Sequence, residues 1–258
     1  MGETTIIGWT DHTQNFWKGC HEVSPGCTGC YAKAAFKRMR WDFNQVTRTK
    51  TWGDPDRWQK KLSGTNKYEM VFTCSWSDFW LPDADEWRLG AWQIIKRCRN
   101  LVWQISTKRP GLIPKRLPPD WGEGYENVWL GVSVESKEWL WRIPELKKVP
   151  AAVHFLSLEP LLEDLSPYLD CYLDDIEWGI VGGESGNGTP NFRPMDLEWA
   201  RRLRGMFAQR KIPFFFKQSA AIRTEMGTKL DGQMIREYPP LPKGGSYPKA
   251  EGGSPRLF

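Results

Sequence analysis

The sequence predicts an α/β protein, a single-domain partial (β/α) TIM-like barrel with about six to seven parallel strands. Three observations lead there. Short runs that are apolar on both faces recur along the chain, as buried parallel strands do. Stretches with helical spacing stand between them. Most runs also end in a polar or small cluster, so parallel strands would gather those residues on one rim. A doubly wound sheet shares the first two features and is the main rival.

The strands are expected at residues 15–18, 69–74, 101–106, 127–133, 152–157, 176–182 and 212–216. After a cysteine-rich loop, residues 31–41 carry helix formers on one side and Lys37, Arg38 and Arg40 on the other. Asp83 followed by Glu86 reads as a capping box that opens a helix with Trp87, Ala91, Ile94, Ile95 and Cys98 on its apolar side. Asp196 caps another, with Leu197, Ala200, Leu203, Met206 and Phe207 on one face. Residues 1–237 form one barrel domain. Residues 238–258 turn to Pro, Gly, Lys and Ser and read as a flexible C-terminal tail.

With 258 residues the chain can bury one full core. It lacks the apolar run of a membrane span and the basic-then-apolar start of a secretory signal, so a cytoplasmic location is expected, with no membrane partner. Six cysteines in that setting point to metal or chemistry rather than disulfides. Three histidines leave little material for a histidine-rich zinc site or a serine–histidine–aspartate triad. A net charge of +5 permits an anionic partner without demanding one. Sixteen tryptophans fill a core or line a groove for a flat substrate.

The most specific feature is Cys20, then six residues, then Cys27-Thr28-Gly29-Cys30-Tyr31. Three thiolates on one loop can hold three irons of a cubane and leave the fourth open. A Cys₃His zinc knot completed by His21 is the alternative. Cys74, Cys98 and Cys171 are dispersed and read as small buried hydrophobes.

The loop resembles the radical S-adenosylmethionine (SAM) superfamily. The wider pattern is similar to a branch of phage-associated radical-SAM-like proteins of unassigned function, related to spore photoproduct lyase. The matching segments are Gly19 to Ala32, Ser75-Trp76-Ser77-Asp78, Ser106-Thr107-Lys108-Arg109-Pro110, Leu130 to Glu135, Ser157-Leu158-Glu159-Pro160, Val181 to Gly186 and Pro213 to Gln218. Two departures stand out. Superfamily members commonly place three residues between the first two cysteines, where this chain has six. Their Gly-Gly-Glu follows the second strand, whereas Gly182-Gly183-Glu184 follows the sixth.

The resemblance implies a [4Fe–4S] cluster on Cys20, Cys27 and Cys30, SAM as cofactor, and an external low-potential donor of flavodoxin or ferredoxin type. Reductive cleavage of SAM would release a 5′-deoxyadenosyl radical. Tyr31 would border the cofactor, and Ser75 and Asp78 would receive its ammonium group. Lys108 or Arg109 would pair with its carboxylate, Ser133 and Glu135 with its ribose, and the backbone at Gly182 and Gly183 would approach adenine. Glu159 and Glu184, read as paired carboxylates, would orient the substrate.

Kinship with spore photoproduct lyase suggests a nucleobase in DNA or RNA. Phosphates would then meet the basic clusters at Lys37 and at Arg201, Arg202, Arg204, Arg210 and Lys211, and Trp76 and Trp80 would stack on the base. A peptide or small metabolite is the alternative substrate. A zinc-stabilised nucleic-acid-binding protein without chemistry is the alternative class.

Overall fold

The computed structural model describes residues 5–247. In chain order the elements are β1 (His12–Gln14), β2 (Trp17–Lys18), α1 (Tyr31–Met39), β3 (Thr47–Arg48), α2 (Asp54–Leu62), β4 (Glu69–Thr73), α3 (Asp85–Arg97) and β5 (Leu101–Thr107). There follow β6 (Val128–Ser133), α4 (Arg142–Lys147), β7 (Val153–Leu158), α5 (Ser166–Leu169), β8 (Trp178–Gly182), α6 (Leu197–Gln209) and β9 (Phe214–Gln218). Seven strands form one parallel sheet in the order β1-β4-β5-β6-β7-β8-β9, a partial TIM-like barrel as expected. Chain order and sheet order agree, so the doubly wound alternative falls: that fold needs a reversal of strand order.

Alternation along each strand sorts residues between two cores. On β5, Leu101, Trp103 and Ile105 join the large core under the helices, while Val102 joins a second, aromatic core. Met70, Trp129, Val153, Phe155, Trp178, Ile180 and Phe215 belong to that second core, which fills the concave side. Farther along the same inward rows stand Ser106, Ser133, Ser157 and Lys217, at the C-terminal ends of their strands. The rim that the sequence suggested therefore exists.

Several boundaries differ from expectation. The first barrel strand is His12–Gln14, not 15–18; Trp17–Lys18 instead pairs antiparallel with Thr47–Arg48 in a small ribbon. Asp83 does not cap α3. It lies in a preceding 3₁₀ turn and pairs with His21 Nε2 at 3.0 Å, while α3 starts at Asp85 without a side-chain cap. Asp196 does cap α6, accepting from the Glu198 amide at 2.8 Å.

The first part of the expected tail, residues 238–247, is packed against the barrel. Tyr238, Leu241 and Tyr247 are buried in the aromatic core, and the Tyr68 amide donates to the Ser246 carbonyl. Prolines and glycines here shape a strap across the barrel floor rather than a mobile end. Residues 248–258, the rest of the expected tail, lie outside the described residues. Nine tryptophans are buried, among them Trp80 with no exposure, so core packing accounts for most of the excess and Trp80 is not open to a base. Cys74 and Cys98 are buried as expected, but Cys171 is exposed.

Candidate functional site

The C-terminal rim encloses a cavity of about 190 Å³. Cys20, Cys27 and Cys30 line it together with Tyr31, Ser75, Asp78, Lys108, Arg109, Ser133, Glu159 and Glu184. Eleven of the fourteen residues singled out from the sequence thus meet in one place; Glu135, Gly182 and Gly183 do not line it.

The cysteine loop runs from β2 to α1 and is held by three buried or half-buried anchors. At its start, Arg109 donates to the Asp78 carboxylate at 3.1 Å, approaches the Cys20 sulfur at 3.7 Å and also bonds the His21 carbonyl. In its middle, Glu135 accepts from the Gly26 amide at 3.4 Å and is held by Arg142 at 2.8 Å. Near its end, Glu184 takes two bonds from the Arg193 guanidinium and one from the Arg193 amide, and Arg193 also donates to the Pro25 carbonyl at 3.0 Å.

These anchors explain the loop's glycines. A Cβ on Gly26 would stand 3.0 Å from the Glu135 carboxyl, and one on Gly29 would stand 2.2 Å from a Glu184 oxygen. A side chain at Gly29 would displace the Glu184 carboxylate, and one at Gly26 would press on that of Glu135.

Several expected roles change accordingly. Asp78 already accepts from the Thr107 hydroxyl at 2.7 Å, the Trp80 and Lys108 amides and Arg109, so its lone pairs are committed to the scaffold rather than to an ammonium ligand. Arg109 is likewise spent on Asp78 and the loop. Glu135 is fully buried against Arg142 and cannot reach a ribose in the cavity. Gly182 lies beneath Glu159 and Lys217, and Gly183 abuts Ala220 and bonds Gln218, so neither offers backbone to adenine.

Glu159 and Glu184 do not act as a pair. Lys217 neutralises the first and Arg193 the second. Arg193 and Arg142 were missed because nothing local marks them: each acts on a loop more than a hundred residues away. Ser106 and Ser157 also line the cavity, Ser106 Oγ lying 3.5 Å from Ser133 Oγ. Trp9 forms part of the wall as well. Their only sequence signal was position at a strand exit, and for Trp9 there was none.

Electrostatics follow from this packing. Burial, then the Asp78 charge, pushes the Cys20 thiol up to about 12, against the opposing pull of Arg109. Burial also raises Cys30, against its backbone hydrogen bonds and the Lys108 charge. Burial raises Glu184, but hydrogen bonds and charge from Arg193 outweigh it and hold the carboxyl below its usual range. Lys108 makes no ion pair among the described residues and is the cation on this rim left without a carboxylate.

The donor set fits a thiolate-bound centre in kind: three cysteines of one loop border one cavity, with a charged guanidinium beside the first. Among the described residues, no three Cys, His, Asp or Glu side chains are already drawn together as a metal site. Ligation would therefore close the loop further and remove the thiol protons.

Fold and site together define a class: a parallel partial barrel whose rim gathers three loop thiols and the polar ends of its strands around one cavity. The chain belongs to the DUF5131 family, described as a protein of unknown function, whose family model matches residues 4–239. Searches of the curated proteins and of the solved structures return no match. Among the described residues, no helix is long and apolar enough to cross a membrane.

Proposed function

We propose that the protein is a radical SAM enzyme whose [4Fe–4S] cluster is held by Cys20, Cys27 and Cys30. The observation that carries this reading is the placement of all three thiols on the wall of the cavity that also collects the polar strand ends. When bound, such a cluster supplies the single electron that splits SAM. The chain's own residues would position and shield. Lys108 offers the uncommitted cation for the methionine carboxylate. Ser75, Ser106, Ser133 and Ser157 offer hydroxyls for the ribose and the amino group. Arg109, Glu135–Arg142 and Glu184–Arg193 hold the loop against the rim, and ligation would draw its three thiols together there.

The test is anaerobic reconstitution followed by metal analysis and reduction. We expect about four irons per chain and, with dithionite, conversion of SAM to 5′-deoxyadenosine and methionine. Cys20→Ala, Cys27→Ala or Cys30→Ala should each abolish iron uptake, and Cys98→Ala should not. Tightly held stoichiometric zinc with no iron uptake would favour the non-catalytic alternative, and S-adenosylhomocysteine as sole product would mean ordinary methyl transfer.

A further inference from the structure

We propose that the outer side of the cysteine-loop wall, formed by the end of α1, the loop after it and the β2–β3 ribbon, is a docking surface for single-stranded nucleic acid. Delivery of that strand to the cavity rests on the reading of the cavity given above; binding to the surface does not.

Charge singles out this surface. Residues 31–53 contain six Lys or Arg and one carboxylate, Asp42. Lys33 is spent on Glu22. Lys18, Lys37, Arg38, Arg40, Arg48 and Lys50 form no ion pair among the described residues. The other basic cluster, on α6, has the opposite character. Arg201 is bound to Asp231 at 2.8 Å, Arg202 to Asp164 at 2.7 Å and Arg210 to Asp174 at 2.7 Å. For these three, carboxylates already do what phosphates would do, while Arg204 and Lys211 form no ion pair among the described residues. Six unmatched cations thus gather beside the cysteine loop, five of them in a stretch that holds one carboxylate, where a polyanion can neutralise them.

Aromatic rings interleave with these cations. Trp41 is 43% exposed, lies under Lys18 Nζ at 3.1 Å and meets the edges of Phe36 at 5.5 Å and Trp76 at 6.4 Å. The Arg48 guanidinium covers Trp52 at 4.2 Å. Rings set among cations suit unpaired bases, which can stack, whereas a duplex offers such a surface only its phosphates. The platform adjoins the cavity mouth through covalent neighbours. Trp76 stands between Ser75 and Ser77, both of which line the cavity, and its carbonyl accepts from the Gly19 amide at 3.1 Å. The Cys20 amide in turn donates to the Phe43 carbonyl at 2.8 Å. A strand lying across Trp41 therefore has a short path to the rim.

The experiment is fluorescence anisotropy of a labelled oligothymidylate with the full chain, before and after iron reconstitution, over a series of salt concentrations. Binding should weaken with salt with a log–log slope of about −0.7 for each phosphate neutralised. Lys37→Gln combined with Arg38→Gln, both exposed and on a helix that tolerates Gln, should weaken binding about tenfold and flatten the slope by about 1.4. Trp41→Ala should weaken it about tenfold through lost stacking. Arg201→Gln combined with Arg202→Gln should leave binding unchanged.

Unchanged binding in the Lys37/Arg38 variant, equal loss in the Arg201/Arg202 variant, or no binding at low salt would overturn the proposal. Tighter binding to duplex of the same length, or equal binding to phosphatidylserine vesicles, would also overturn it. Oligonucleotide binding by a chain that takes up no iron would retire the radical SAM reading and keep this one. SAM cleavage without oligonucleotide binding would do the reverse.

Discussion

The two ends of the barrel's concave face use the same strands for opposite purposes. Toward the strand N-termini, Met70, Val102, Trp129, Val153 and Trp178 interlock with Tyr238 and Leu241 into an aromatic floor. Toward the C-termini, the same inward rows carry Ser106, Ser133, Ser157 and Lys217 around an open cavity. On β7 the change takes four residues, from Val153 through Phe155 to Ser157. The floor is a cluster of buried, mutually packed side chains, so its contribution is stability. At the mouth, buried ion pairs brace one loop, and they stabilise a particular geometry more than they stabilise the fold.

Trp178→Ala should separate the two ends most sharply. Trp178 is fully buried, meets Trp129, Phe155 and Tyr238, and donates from Nε1 to the Glu237 carbonyl at 2.8 Å. Its loss should cost about 3–5 kcal/mol in urea unfolding. A cost under about 1 kcal/mol would mean the floor is not close-packed.

Next in size is Glu135→Gln, which leaves the buried Arg142 charge without its carboxylate. About 1–3 kcal/mol of stability should go, accompanied by a fall in iron retained per chain that Trp178→Ala does not produce at a temperature where both variants are folded. Equal iron retention in the two variants would erase the distinction between mouth and floor.

The smallest effect is a dependence on pH. Because the folded Glu184 carboxyl is held below its unfolded value, its stabilising contribution is present above the ordinary carboxylate range. It is lost as pH falls through the folded value. The stability gap between the native chain and Glu184→Gln should therefore be widest near neutrality and shrink in acid. A gap that stays constant from about pH 7 to about pH 3 would show that Arg193 does not grip the ionised form.

How much of this was legible beforehand varied with the range of the interaction. The strands at 101–106 and 127–133 were placed within a residue or two, because a buried parallel strand must be apolar on both faces. Asp196 was read correctly as a cap, since its partner is two residues away. Asp83 carried the same local signal and failed, because His21, distant in sequence, took its carboxylate. Trp80 and Trp76 looked alike in sequence beside one strand exit. Packing against Phe79 and Trp92 buried the first, and the second stayed half-buried beside Trp41.

The sequence by itself determined the parallel order of strands, the rim on which polar residues collect, and the three-thiol loop at the first exit. Periodicity and short spacings are local, and a parallel barrel turns them directly into position. Only the tertiary structure decided which polar residues remained free. Asp78, Arg109, Glu135, Glu159 and Glu184 all carry the charge that cofactor chemistry would want, yet each is matched by a counter-charge brought to it by the fold. Lys108 has no such partner among the described residues. A buried charge must find a partner, and which partner arrives depends on strands and loops that meet only once the barrel has curved.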